Sequence, residues 1–243
     1  FGFAWVHREW SGRWEAWGLL GLPIAWAWPM QMGFVNYMTG FGVLLVVLAA
    51  HLRLRERPLP QYLVVLVPLS LVLVVCHFLA FCFLLVVVAT LEVAFTRTKE
   101  RVPLRIGAVA MRLGLITILP IVYVLAGPAA QDESGVVYAA AIHKFRMIWF
   151  VVAQGNLLVD AIVLLLLAVG VYVAWRGEWR PARAGMILTA VLIAAYIVTP
   201  MGYKGALHVD SRQPFGILLL FLALSSGRIC RAGGSWGRPS DFT

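Results

Sequence analysis

Apolar and polar positions along this chain fall into blocks, not into the alternation of a half-buried strand. Long runs of Leu, Val, Ile, Ala and Phe are broken by short stretches rich in Arg, Gly or Pro. Runs of this kind read as helices in lipid, where about 20 apolar residues cross the hydrocarbon layer. The pattern predicts spans over about 33–51, 61–75, 78–95, 106–127, 156–175, 184–200 and 214–227. The combined run 61–95 is too long for one crossing at about 1.5 Å per residue. Two short spans with a tight turn near His77 fit it better.

Upstream, residues 1–17 are too polar to span. Trp10, Trp14 and Trp17 recur at helical spacing among Arg8, Glu9, Arg13 and Glu15, a pattern that suits a Trp-rich helix lying at headgroup level. Segment 18–32 is apolar but interrupted by Pro23 and Pro29, which reads as a re-entrant or interfacial piece or as the tail of an earlier span. The expected fold is all-α: a polytopic transmembrane helical bundle of about seven spans with an N-terminal Trp-rich interfacial helix. Its expected divisions are an interfacial segment 1–32, a transmembrane domain 33–227 and a basic cytoplasmic tail 228–243. Residues 128–147 form the longest polar connection.

Composition supports the same class. The chain is 62% hydrophobic and 13% charged, with a mean hydropathy of +0.88, outside the range of soluble domains. Its net charge of +9 is not a nucleic-acid signal, because the arginines sit in short runs between apolar segments. Arg53, Arg55, Arg57, Arg97, Arg101 and Arg105 fall on one side of the predicted bundle, and Arg176, Arg180, Arg183, Arg228 and Arg231 join them. Under the positive-inside bias that side, with the C-terminus, is cytoplasmic, and a bacterial inner membrane is the expected location. The three cysteines (Cys76, Cys82, Cys230) offer neither a disulfide framework nor a metal-ligand spacing. The chain opens at Phe1 without a signal-peptide pattern, so the expectation is a cut N-terminus with earlier spans before it.

Ionisable groups at membrane depth need a partner, a watery cavity or a function. Glu92 and Arg112 lie near the basic ends of neighbouring spans, and the plainest expectation is an interhelical ion pair, or Arg112 snorkelling to the interface. At the opposite end Asn36 and Tyr37 open span one, His77 marks a turn, and Gln154, Asn156 and Asp160 begin span five. The loop 203–213 adds Lys204, His208, Asp210 and Arg212. Singly each reads as a structural hydrogen bonder, His77 and Asn36 as helix caps. Together they read as an outward polar pocket. Its expected ligand-binding residues are Lys204, His208, Arg212, Asn36, His77 and Asp160. Lys and Arg beside a bilayer suit a lipid-borne phosphate. Asp210 is the candidate catalytic residue, as a general base toward a sugar hydroxyl, or it orients Arg212 or His208. No spacing rule turns His143, His208 and Asp210 into a metal site, and no cofactor is implied.

Three features carry a family resemblance: the span opening Asn36-Tyr37-Met38-Thr39-Gly40-Phe41-Gly42 and running into LRLRERP, the hairpin at Cys76-His77, and the loop His208-Val209-Asp210-Ser211-Arg212 before the last span. Over about 33–227 the chain resembles the C-terminal part of the GT-C class of integral-membrane glycosyltransferases. The resemblance implies a polyprenyl-phosphate-linked sugar as donor, used at the outer face. That class places its catalytic carboxylate on an early outer loop, and nothing in residues 1–32 matches it, so no catalytic acid is carried over. Two other readings stand beside it: a non-catalytic assembly or scaffold subunit with a membrane-protein partner, and a small-solute transporter. A retinal protein is excluded, since the last span has no lysine.

Overall fold

The computed structural model describes residues 1–12, 14, 35–95, 102–126, 135–138, 140–149, 156–176, 180–181, 183–203 and 213–226. Among these residues the chain is helical apart from two short antiparallel bridges. The helices are α1 (Gly2–Ser11), α2 (Val35–Leu54), α3 (Leu59–Cys76), α4 (Phe78–Ala94), α5 (Val102–Ala126), α6 (Ala141–Trp149), α7 (Leu157–Arg176), α8 (Arg183–Val198) and α9 (Gln213–Ala223). Every predicted span contains a helix, although the last helix stops at Ala223 and Ser225–Ser226, inside that predicted span, form a strand. Three stretches are long and apolar enough to cross a membrane: α2, α3 and Gly107–Ala126 within α5. The remaining apolar helices are shorter.

The bundle is organised around α2, which packs against α1, α3 and α4; α8 leans on α4 and α9, and α5 on α3. Two ends can be told apart by contacts. At one, Tyr37 at the start of α2 meets the His77 ring edge-on at 5.3 Å and Phe215 of α9 at 6.3 Å. At the other, Trp10 of α1 lies 5.7 Å from Phe95 beyond α4, and His7 Nδ1 stands 3.0 Å from the Ala223 carbonyl at the end of α9. This second end carries Arg53, Arg55 and Arg57. There Arg180–Pro181 (β2) also pairs with Ser225–Ser226 (β4).

The turn predicted near His77 is a single residue. α3 ends at Cys76, His77 is extended, and α4 begins at Phe78. His77 Nδ1 accepts from the Ala80 N–H at 3.3 Å, capping one of the donors that a helix start leaves open. Gly40 lets α2 reach this turn, since a Cβ there would lie 2.4 Å from the His77 Cβ.

Pro120 inside α5 has no N–H for the carbonyl four residues back, that of Ile116. The hydroxyl of the fully buried Ser70 on α3 stands 3.0 Å from that carbonyl and supplies the missing donor. A proline break in one helix is thus closed by its neighbour, as lipid demands.

Two expectations need revision. The N-terminal helix does not run on through the Trp10, Trp14, Trp17 spacing. It stops at Gly12, whose φ of 79° is the left-handed C-cap conformation that glycine takes without strain, and Trp14 beyond it is exposed. Phe3, Val6, His7 and Trp10 are buried, so α1 packs into the bundle instead of only lying on it. Trp17 and segment 18–32 lie outside the described residues. Within the 128–147 connection, Val136–Val137 (β1) pairs with Gly202–Tyr203 (β3), and α6 follows.

Candidate functional site

A cavity of about 190 Å³ lies at the Arg-rich end, among α2, α3, α4 and α5. Two guanidinium groups (Arg55, Arg112), two carboxylates (Glu56, Glu92), an imidazole (His51) and a phenol (Tyr62) line it, with Val88, Val109 and other apolar side chains on the remaining wall. His51 and Arg55 share a face of α2 because they are four residues apart. His51, only 3% exposed, is the centre of the network. Its Nδ1 lies 3.0 Å from the Tyr62 hydroxyl, and its Nε2 lies 3.2 Å from Glu92 Oε1. The first contact is a hydrogen bond. The second is close but not aligned as one.

Arg55 Nε also approaches Glu92 Oε1, at 3.5 Å, and its guanidinium lies 4.0 Å above the Phe95 ring. Glu92 is therefore flanked by Arg55 and His51, and both belong to α2. The pairing of Glu92 with Arg112 expected from their neighbouring spans is replaced by these contacts. Arg112 instead donates to the backbone carbonyls of Arg55 and Arg57 and sits 5.2 Å from the Tyr62 ring centroid. It thereby satisfies two carbonyls just beyond the end of α2.

Part of the predicted outward set can be described, Asn36 and His77 at the opposite end. Asn36 is exposed in the first turn of α2, and His77 acts as the cap described above. Asn156 Oδ1 accepts from the N–H groups of Leu158 (2.9 Å) and Val159 (3.4 Å), so it is the N-cap of α7. Asp160 is buried in the first turn of that helix. Lys204, His208, Asp210 and Arg212, with Gln154, lie outside the described residues. Their flanks do not. Tyr203 pairs with Val136, and Gln213 Nε2 donates to Thr199 Oγ1 at 2.9 Å.

The short helix α6 closes the same end. Lys144 Nζ donates to the carbonyls of Tyr196 (2.8 Å) and Thr199 (2.6 Å), and the Tyr196 hydroxyl donates back to the Lys144 carbonyl at 2.7 Å. A cation at the carbonyl end of α8 also complements the helix dipole. Ile142, Phe145 and Ile148, three residues apart, form an exposed apolar ridge on the other side. Among the described residues, no group of three His, Cys, Asp or Glu side chains could hold a metal ion.

His51 and Tyr62 escaped the sequence reading. His51 looked like the last residue of a span. The available signal was Glu92, the lone acid in its span, which required a cationic partner and drew attention to Arg112 alone.

No family model, curated protein or solved structure matches this chain.

Proposed function

We propose that this chain is the carrier-binding part of a membrane-embedded glycosyltransferase. It takes a polyprenyl-phosphate-linked sugar at the end of the bundle that carries the His77 turn. In this reading seven helices cross a bacterial inner membrane, the Arg-rich end faces the cytoplasm, and the loop 203–213 faces outward. One observation supports it most: both flanks of that loop are pinned at one end of the bundle, through Tyr203 to Val136 and through Gln213 to Thr199. A loop tethered at both sides is a suitable carrier of Lys204 and Arg212 toward a phosphate at the lipid surface. In transfer, an acceptor hydroxyl attacks the anomeric carbon, the bond to the phosphate oxygen breaks, and the cationic side chains stabilise the leaving lipid phosphate. In this reading Asp210 takes the hydroxyl proton or orients His208 or Arg212.

The test is polyprenyl-phosphate binding to the detergent-purified chain. Saturable binding that is lost in both Lys204→Ala and Arg212→Ala supports the proposal. Binding that both variants retain, or no binding by folded protein, overturns it. A non-catalytic assembly subunit is the second reading. It is favoured by α7, whose Leu157, Leu158, Leu165 and Leu166 are exposed and available to a membrane partner.

A further inference from the structure

We infer that the cavity at the Arg-rich end binds the headgroup of a zwitterionic phospholipid, with phosphate and amine held by separate walls. Among the described residues the lining carries two guanidinium groups and two carboxylates, so from these a plain anion or a plain cation meets as much repulsion as attraction. A ligand that carries one charge of each sign meets neither penalty. The placement of the charges follows the order of atoms in such a headgroup. Arg112 is half-buried, over the Tyr62 ring and beside apolar Val109 and Leu113 of its own helix. A lipid phosphate, next to the acyl chains, suits those surroundings, and the guanidinium N–H groups not donated to the Arg55 and Arg57 carbonyls are left for its oxygens. Glu56 is exposed on the link between α2 and α3, where the terminal ammonium would stand.

The second observation is His51. It is almost completely buried, it lines the cavity, and its Nε2 has no aligned hydrogen-bond partner. That atom faces the Glu92 carboxylate at 3.2 Å without an aligned bond, so a neutral ester oxygen of the headgroup suits it, and the anionic phosphate oxygens belong to Arg112. Between Arg55 and His51, Glu92 is already compensated. That leaves Arg112 and Glu56 as the pair that reads the ligand.

The experiment is titration of the detergent-purified full chain, following its unfolding midpoint, with short-chain phosphatidylethanolamine, phosphatidylglycerol of the same chains, and free phosphoethanolamine. The ethanolamine lipid is expected to stabilise the protein saturably and to bind about tenfold more tightly than the glycerol lipid, the size of one charged hydrogen bond. Glu56→Gln should erase that preference, and Arg112→Gln should weaken both lipids by about tenfold. Equal or tighter binding of phosphatidylglycerol by the unaltered protein overturns the proposal in favour of a plain anion site. Free phosphoethanolamine binding as tightly as the lipid overturns it in favour of a soluble ligand. A preference unchanged in Glu56→Gln, or no binding at all, overturns it outright. Glu56 is exposed, so its variant keeps the test decisive even if Arg112→Gln fails to fold.

Discussion

The imidazole of His51 stands 3.2 Å from the carboxylate of Glu92, both side chains buried where α2 packs on α4. A buried carboxylate is tolerated because a cation and a polar ring face it. Removing one member of such a group leaves uncompensated charge, which costs about 3 kcal/mol. Glu92→Gln is therefore expected to lower stability by about that much in detergent unfolding. In a His51→Ala background the same change should cost less, since the partner has already gone. Equal costs in both backgrounds would show that the two side chains are not coupled.

Gly40 and Gly42 offer a matched pair. A Cβ on Gly40 would lie 2.4 Å from the His77 Cβ, whereas one on Gly42 meets nothing within 4 Å. Gly40→Ala must push the His77 turn away from α2, and overpacking of this kind costs about 1–3 kcal/mol. Gly42→Ala should be neutral or stabilising by up to about 1 kcal/mol, because alanine is the better helix former. The two unfolding midpoints should move in opposite directions or differ clearly. Equal loss in both variants would mean that close approach at His77 is not what Gly40 provides.

The helical runs were legible in the sequence because hydrophobic length is nearly all that lipid asks of a helix. The His77 turn was legible for the same reason: a run of 61–95 had to fold back, and the imidazole was the one polar residue near its middle. Partner choice was not legible. Glu92 and Arg112 sit on the neighbouring helices α4 and α5, yet one turns to the His51 and Arg55 side chains of α2 and its turn, and the other to the carbonyls of Arg55 and Arg57 just beyond α2. Spacing along a chain fixes which face a residue is on, not which neighbour the helix rotation brings to it. The helix α6 was missed because its apolar positions, Ile142, Phe145 and Ile148, lie outward in nine residues of otherwise mixed polarity.

Lys144 holds α6 against α8 through two carbonyls, those of Tyr196 and Thr199. Hydrogen bonds from a charged donor contribute about 1.5–3 kcal/mol, enough to decide whether so short a helix stays docked. Lys144→Met keeps the length of the side chain and removes the donor. Amide exchange over 141–149 should then quicken severalfold while that over α2 and α3 stays unchanged. Unaltered protection of 141–149 would assign the docking to the buried Met147 instead.

Ser70 and Pro120 test whether one helix repairs another. The Ile116 carbonyl loses its helical donor to Pro120, and the Ser70 hydroxyl, 3.0 Å away, replaces it. The same hydroxyl lies 2.9 Å from the Val67 carbonyl, but that oxygen has the N–H of Leu71 in regular helical register. The Ile116 carbonyl is thus the acceptor in need. Ser70→Ala strands it in an apolar interior and should cost about 1–3 kcal/mol, more than the roughly 0.6 kcal/mol typical of hydrogen bonds between membrane helices. Pro120→Ala restores a backbone N–H, so the loss should shrink when both substitutions are combined. Unfolding of the two single variants and the double variant in one detergent gives the coupling directly. If the double variant loses the sum of the single losses, the serine and the proline act independently and the repair does not operate.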